Sequence, residues 1–324
     1  MKQEVIESAL WGLLVGDAVG VPYEFHQASE LPALEQIDMT PPFGFDRSHR
    51  GAPRNAWSDD GAQMLALAES LTRMGHFDGE QFALNLLEWF NQGRFAVEQS
   101  VFDYGRVTAL ALERFQSGVP WELSGGDHER DNGNGSLMRA APLAFFYHDE
   151  KELIQAARAS SLPTHRHPVS QLCCALYCLT LNRLANSTDP NLALAFRLSL
   201  EQLQAYCARE SDSAVLLKAV MHIENALPGA DEKMTNGYVV NTLGFALHAV
   251  LGSNSYRDAI ARAIKYGYDT DTVAAVAGPL AVIVHGEVDS QWLRLLSGKF
   301  EAQAVISAFS KAAVAKHNCR VALC

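Results

Sequence analysis

Residues 57–71 read WSDDGAQMLALAESL, and two features of that run set the fold. Met64, Leu67, Ala68 and Leu71 recur at the i, i+3, i+4, i+7 spacing of a single helix face. Ahead of them stand Ser58, Asp59 and Asp60, whose oxygens can satisfy the unpaired N–H groups of a helix start and whose charge suits the positive end of its dipole. The stretch predicts a buried helix that begins on adjacent acids. A near-echo, YDTDT at 268–272, precedes the apolar run VAAVAGPLAVIV at 273–284.

The same period extends along the chain. Ile6, Leu10, Leu13 and Leu14 form one stripe, Leu153, Ala156 and Ala157 repeat the spacing, and it returns through 168–186, 191–208 and 236–252. No alternating strand pattern of useful length interrupts it. The expected fold is all-α, a compact multi-helix bundle in one domain spanning 1–324. A content of 48% hydrophobic and only 19% charged residues supports a core of that size.

Composition also removes function classes. A formal charge of -11 argues against a general affinity for nucleic acid or anionic membrane, which would need clustered Lys and Arg. The cysteines at 173, 174, 178, 207, 319 and 324 make no C-x-x-C and no framework of spaced pairs, so reduced thiols packed in the core of a cytoplasmic protein are expected. Glu4 and Glu7 stand where an export signal would be basic and then apolar. No stretch reads as the ~20 apolar residues a membrane span requires.

Two connections are unusually long, 26–57, with Pro32, Pro41, Pro42, Gly44, Gly51 and Pro53, and 123–136, reading LSGGDHERDNGNGS. Loops beyond roughly 12 to 15 residues are uncommon in compact domains and often functional. Residues 187–190 and 226–235 read as polar turns.

Helix capping accounts for Ser58, Asp59 and Asp60, and equally for Thr270, Asp271 and Thr272, if each cluster is taken alone. Capping does not explain why a hydroxyl and paired acids open two helices in matching contexts. Asp59, Asp60, Asp269 and Asp271, with Ser58 and Thr272, offer an all-oxygen set suited to Mg²⁺ or Mn²⁺, and adjacent acids can reach two ions held ~3.5 to 4 Å apart. If the two helix N-termini converge, they form a dinuclear site.

With WSDDG stand GLLVGDAVGVPYEF at 12–25, GNGSLMRAAPLAFF at 133–146, LPTHRHP at 162–168, GYVVNTL at 237–243 and YGYDTDTVAAVAGPLAVIVHG at 266–286. Together, and in this order, the blocks resemble the ADP-ribosylglycohydrolase family, including its dinitrogenase reductase-activating members, over roughly residues 7–298. The resemblance implies an all-α enzyme that binds two Mg²⁺ or Mn²⁺ ions and hydrolyses the bond between ADP-ribose and a protein side chain. It puts Ser58, Asp59, Asp60, Asp269, Asp271 and Thr272 at the metal-ligand positions, with Asp60 and Asp271 central to catalysis. Ser58 replaces a frequent threonine, and Tyr268 stands where the family carries glycine or another small residue.

Further roles follow from the same resemblance. Glu24 would lie near the ions and assist water or substrate activation; by itself it reads as an exposed glutamate. Asp103 in FDYGR would lie near the substrate ribose rather than being a plain surface acid. Gly133, Asn134, Gly135 and Ser136 would cradle the ADP-ribose diphosphate, glycines letting backbone N–H groups approach its oxygens and the MRAAPLAFF helix turning its N-terminus toward it. His165 would contact phosphate or ribose instead of sitting satisfied in the core, while His167 reads as local structure before Pro168. Tyr238 would stack on or gate the nucleotide, and Tyr268 would line the approach. Asp17 reads as a structural residue at a helix end.

The expected activity is hydrolysis at the ribose anomeric carbon, most simply of mono-ADP-ribosyl-arginine on a modified protein. Other classes stay open at this level: an inert ADP-ribose-binding or structural relative, a metal-free glycosidase using two carboxylates, or an immunity protein that neutralises an ADP-ribosylating toxin by erasing its mark or by plugging it with the 26–57 segment.

Overall fold

The structure is a computed structural model that describes residues 1–227 and 237–321. Helices run α1 Gln3–Gly20, α2 Asp59–Met74, α3 Gly79–Gln92, α4 Arg106–Gln116 and α5 Trp121–Ser124. They continue with α6 Ala141–Phe146, α7 Glu150–Ser161, α8 Pro168–Ala185, α9 Leu192–Cys207 and α10 Ser213–Ala226. The last five are α11 Val239–Leu251, α12 Tyr256–Ile264, α13 Thr270–His285, α14 Ser290–Leu295 and α15 Lys299–Val321. Among the described residues there is no strand, only isolated bridges joining Gly126 to His165 and Gly133 to Tyr238. The all-α expectation holds. Most of the turn expected at 226–235 lies outside the described residues.

The arrangement turns on α1 and α13. Gly12, Gly16 and Gly20, four residues apart, form a groove on α1 into which the α13 backbone settles. A Cβ at Gly16 would stand 2.4 Å from Ala274 O, one at Gly20 2.3 Å from Asp271 Cα, and one at Gly278 2.2 Å from Gly12 O. Only glycine permits this approach, and it draws the acidic start of α13 against the end of α1. Helix α2 packs beside both, with Met64, Leu67, Ala68 and Leu71 fully buried.

Helix α1 corrects one expectation. With the turn that follows it, through Tyr23, it is 21 residues long with mean hydropathy 1.4, enough to cross a membrane by length and composition. In the fold, however, 83% of its apolar window is buried, so the hydrophobicity serves the core. Cys173, Cys174, Cys178 and Cys207 are likewise buried and free.

Candidate active site

The start of α2 is capped from another helix. Asp17, buried on α1, accepts the Ser58 N–H at 2.9 Å through Oδ1 and the Gly61 N–H at 2.8 Å through Oδ2. Asp17 therefore satisfies amides that the helix's own first residues would otherwise cap, which frees Asp59 and Asp60 for another role. Its structural reading stands, with a more specific task than a helix-end residue.

The two helix starts converge. Ser58 Oγ donates to Asp60 Oδ2 at 2.9 Å from the α2 side, and Thr272 Oγ1 reaches the same oxygen at 3.5 Å from the α13 side. Carboxylate oxygens of Asp17, Asp60 and Asp271 lie within 4.8 Å of one another, and so do those of Glu24, Asp269 and Asp271. Asp271 is common to both groups. Asp59 instead accepts from Gln63 Nε2 at 2.9 Å, and Asp269 from Asn134 Nδ2 at 2.7 Å.

Such a cluster is costly without a counter-charge. Burial first, and then the neighbouring acids, push Asp17, Asp59 and Asp60 well above the ordinary carboxylate range. Burial and the Asp271 charge raise Asp269 to about 6 and Glu24 to about 11. Asp60 Oδ1 and Asp271 Oδ2 are buried with no hydrogen-bond partner among the described residues. Orphaned, converging carboxylate oxygens beside two hydroxyls are the donor set of a hard divalent cation, so the residues fit one.

The cluster borders a cleft of about 730 Å³, whose lining includes Glu24, Asp59, Asp269 and Thr272. That is ample for a nucleotide-sized ligand. Ser58, Asp60 and Asp271 are buried and do not line it. The lining also includes Gly133, Asn134, Gly135 and His165, the stretch Asp103 to Thr108, and Phe25 and Tyr268.

The walls depart from the sequence reading in three places. Helix α6 begins only at Ala141, after a series of turns, so no helix N-terminus follows directly on the glycines. Ser136 is fully buried, its hydroxyl pairs with Ser161 Oγ at 2.8 Å, and it does not line the cleft. Tyr238 does not line the cleft: its hydroxyl meets His222 Nε2 at 2.6 Å, and its backbone pairs with Gly133 to clamp the glycine loop. His165 lines the cleft as expected, and burial pushes it down to about 3, which keeps it neutral. His167 caps α8, its Nδ1 accepting the Val169 N–H, in line with its local role.

The long 26–57 segment delivers a residue that sequence reasoning missed. Lys265 Nζ donates to the carbonyls of Ala28, Leu31 and Pro32, and Asp38 receives Trp292 Nε1 at 2.8 Å, so side chains pin the loop where secondary structure does not. The loop then places His49 Nε2 on Glu24 Oε2 and 3.6 Å from Asp103 Oδ1. Phe25, His49, Asp103 and Tyr268 all have positive φ, which concentrates backbone strain around the cleft. The φ of 57° at Tyr268 accounts for a glycine preference at that position. Arg139 and Gln63 were also missed, because neither stands out in an apolar helical run.

Comparison with known proteins agrees with this geometry. Residues 2–319 match the family model described as ADP-ribosylglycohydrolase. The ADP-ribosylarginine hydrolase Tri1 of Pseudomonas putida is 32% identical over 86% of this chain and 70% of its own length. The ADP-ribosyl-[dinitrogen reductase] glycohydrolase of Rhodospirillum rubrum is 25% identical over 91% of each chain. A solved structure described as an ADP-ribosylglycohydrolase-related protein complex superposes with a TM-score of 0.72 at 26% identity, covering 96% of this chain and 98% of that one.

Proposed function

The chain belongs to the ADP-ribosylglycohydrolase family and is a glycohydrolase, and from that premise we propose that it removes ADP-ribose from arginine side chains of modified proteins with the help of two divalent cations, Mg²⁺ or Mn²⁺. The observation that carries the metal reading is the pair of orphaned buried oxygens, Asp60 Oδ1 and Asp271 Oδ2, in the acid groups that share Asp271. Ser58, Asp59, Asp60, Asp269, Asp271 and Thr272 would hold the ions, and the two overlapping acid groups add Asp17 and Glu24 as neighbours. Bound there, the ions supply Lewis-acid charge next to the ribose.

In this reading the diphosphate lies along Gly133 to Gly135 and the ribose points down toward Asp59 and Asp269. Burial and the neighbouring acids keep Glu24 protonated in the metal-free chain, and bound cations would offset those charges, so that Glu24, with His49 bonded to its carboxyl group, would be ionised to take the proton from the attacking water. The C1′–N bond breaks with its electron pair staying on the guanidine nitrogen, water oxygen joins C1′, and the proton taken up by Glu24 passes to the departing guanidine. Carboxylates nearby stabilise the oxocarbenium-like charge that develops on the sugar.

The arginine linkage is supported by the printed name of the 32% identical relative. Side-by-side hydrolysis of arginine-linked and serine-linked ADP-ribosyl peptides tests it. Cleavage of the serine linkage alone would overturn the assignment.

One further observation favours a second reading. The long 26–57 segment, which carries the exposed Phe43, would be the part that meets an ADP-ribosylating toxin. Tight toxin binding by Asp60→Ala would support plugging, and protection lost with that substitution would support erasure.

A further inference from the structure

Arg139 is fully buried, and burial lowers its pKa only to about 10, so it stays charged. Its hydrogen-bond acceptors are all neutral: Gln63 Oε1 at 2.6 Å, Thr164 Oγ1 at 2.7 Å and Ser160 O at 3.2 Å. Its Nε has no hydrogen-bond partner among the described residues. A buried guanidinium without a carboxylate partner is expensive, and what it organises is more specific than packing.

Guanidinium groups only donate. The Gln63 carbonyl is therefore committed to Arg139 Nη1, which turns the Gln63 amide NH₂ to Asp59 Oδ2 at 2.9 Å. Thr164 Oγ1 is committed as acceptor from Arg139 Nη2, and its single proton faces His165 Nδ1 at 2.8 Å. A ring proton on Nδ1 would leave the Thr164 proton without an acceptor among the described residues; if the Thr164 proton is given to Nδ1, the Nδ1 lone pair is used and the ring proton sits on Nε2. That nitrogen faces the glycine loop: a Cβ added to Gly133 would stand 3.2 Å from it.

We propose that Arg139 is a positioning residue that sets two sides of the cleft at once. Through Thr164 it fixes His165 as a neutral Nε2–H donor for a phosphate oxygen of the ligand at Gly133–Gly135, and through Gln63 it fixes the orientation of the Asp59 carboxylate. The phosphate half rests on the functional reading above; the tautomer half does not. Among the described residues His165 Nδ1 is the acceptor open to the Thr164 proton, so the relay runs in one direction.

The test is ¹⁵N NMR of the His165 ring in Mg²⁺-supplemented wild type, Thr164→Val and Thr164→Ser. The relay predicts Nε2–H in wild type and Thr164→Ser, and a loss of that preference in Thr164→Val. An Nδ1–H ring in wild type, or an unchanged tautomer in Thr164→Val, overturns it. Calorimetry with ADP-ribose as the probe should show roughly tenfold weaker binding for Thr164→Val and recovery in Thr164→Ser, the scale of one lost hydrogen bond. Gln63→Leu should instead weaken Mg²⁺ binding while leaving the His165 tautomer alone. Arg139→Lys keeps the charge but cannot bridge two oxygens as a planar fork, so wild-type values for both tautomer and Mg²⁺ affinity would refute its role. Should Arg139→Lys not fold, the Thr164 and Gln63 variants decide. No ADP-ribose binding by wild type would count against the functional reading, and the tautomer would still decide the relay.

Discussion

Asp17 and Ser58 meet at 2.9 Å, a buried carboxylate on α1 accepting the backbone N–H that opens α2. This contact lets one helix cap another and leaves the acids of the second free. Asp17→Ala removes the acceptor for the amides of Ser58 and Gly61 and leaves both buried. It should cost about 2 kcal/mol or more of stability in urea titrations of EDTA-treated protein. A wild-type midpoint would mean that the cap contributes nothing.

Asp60 presents the opposite balance. Burial and the charges of Asp17 and Asp271 make its ionised form unfavourable in the metal-free chain. Asp60→Asn should raise the melting temperature in EDTA, equivalent to about 1 kcal/mol, while abolishing the stabilisation that Mg²⁺ or Mn²⁺ gives wild type. A variant that still gains stability from the metal would remove Asp60 from the ligand set.

The pH dependence carries a sign of its own. Glu24 keeps its proton up to about 11 in the folded chain, against an ordinary 4.5. Between about pH 7 and 8 the folded state thus binds more protons than the unfolded one, and stability falls as pH rises, by at most ~1.4 kcal/mol per unit for each such acid. Below pH 6.5 His165, held neutral by burial, works the other way, because only the unfolded chain gains its proton as pH drops. Thermal melts in EDTA should therefore show a decline across pH 7 to 8 that Glu24→Gln makes shallower and Mg²⁺ reverses. A flat or rising metal-free curve would contradict the burial of these acids as neutral groups.

The glycine groove makes a steric prediction. A methyl at Gly16 would meet Ala274 O at 2.4 Å, a backbone atom that cannot swing aside. Gly16→Ala should cost about 2 to 3 kcal/mol and, by moving α13, weaken metal binding as well. Calorimetric unfolding together with Mn²⁺ titration reads both, and an unperturbed variant would show the helices are not locked at this point.

Much of this was legible because helical period and helix starts are local signals. The stripe at Met64, Leu67, Ala68 and Leu71 and the acids before it fix both the class of the fold and one half of the site. Distance along the chain hid the rest. Nothing local connects Asp17 to Ser58, or His49 to Glu24, since each contact depends on tertiary packing and on a loop pinned by Lys265 and Asp38. The 12, 16, 20 glycine spacing was visible, but its partner on α13 was not. Arg139, embedded in an apolar run, gave no sign that its contacts would be polar. Tyr238 misled for the converse reason: its neighbours match the family block, whereas its hydroxyl is taken by His222.

In the proposed function, the acids opening α2 and α13 hold catalytic ions. The most direct measurement is release of ADP-ribose from an arginine-ADP-ribosylated protein in Mg²⁺, in Mn²⁺ and in EDTA, by wild type and Asp60→Ala. Wild type should release ADP-ribose with metal and none in EDTA, and the variant should release none. Equal release in EDTA, or full activity in Asp60→Ala, would contradict that function.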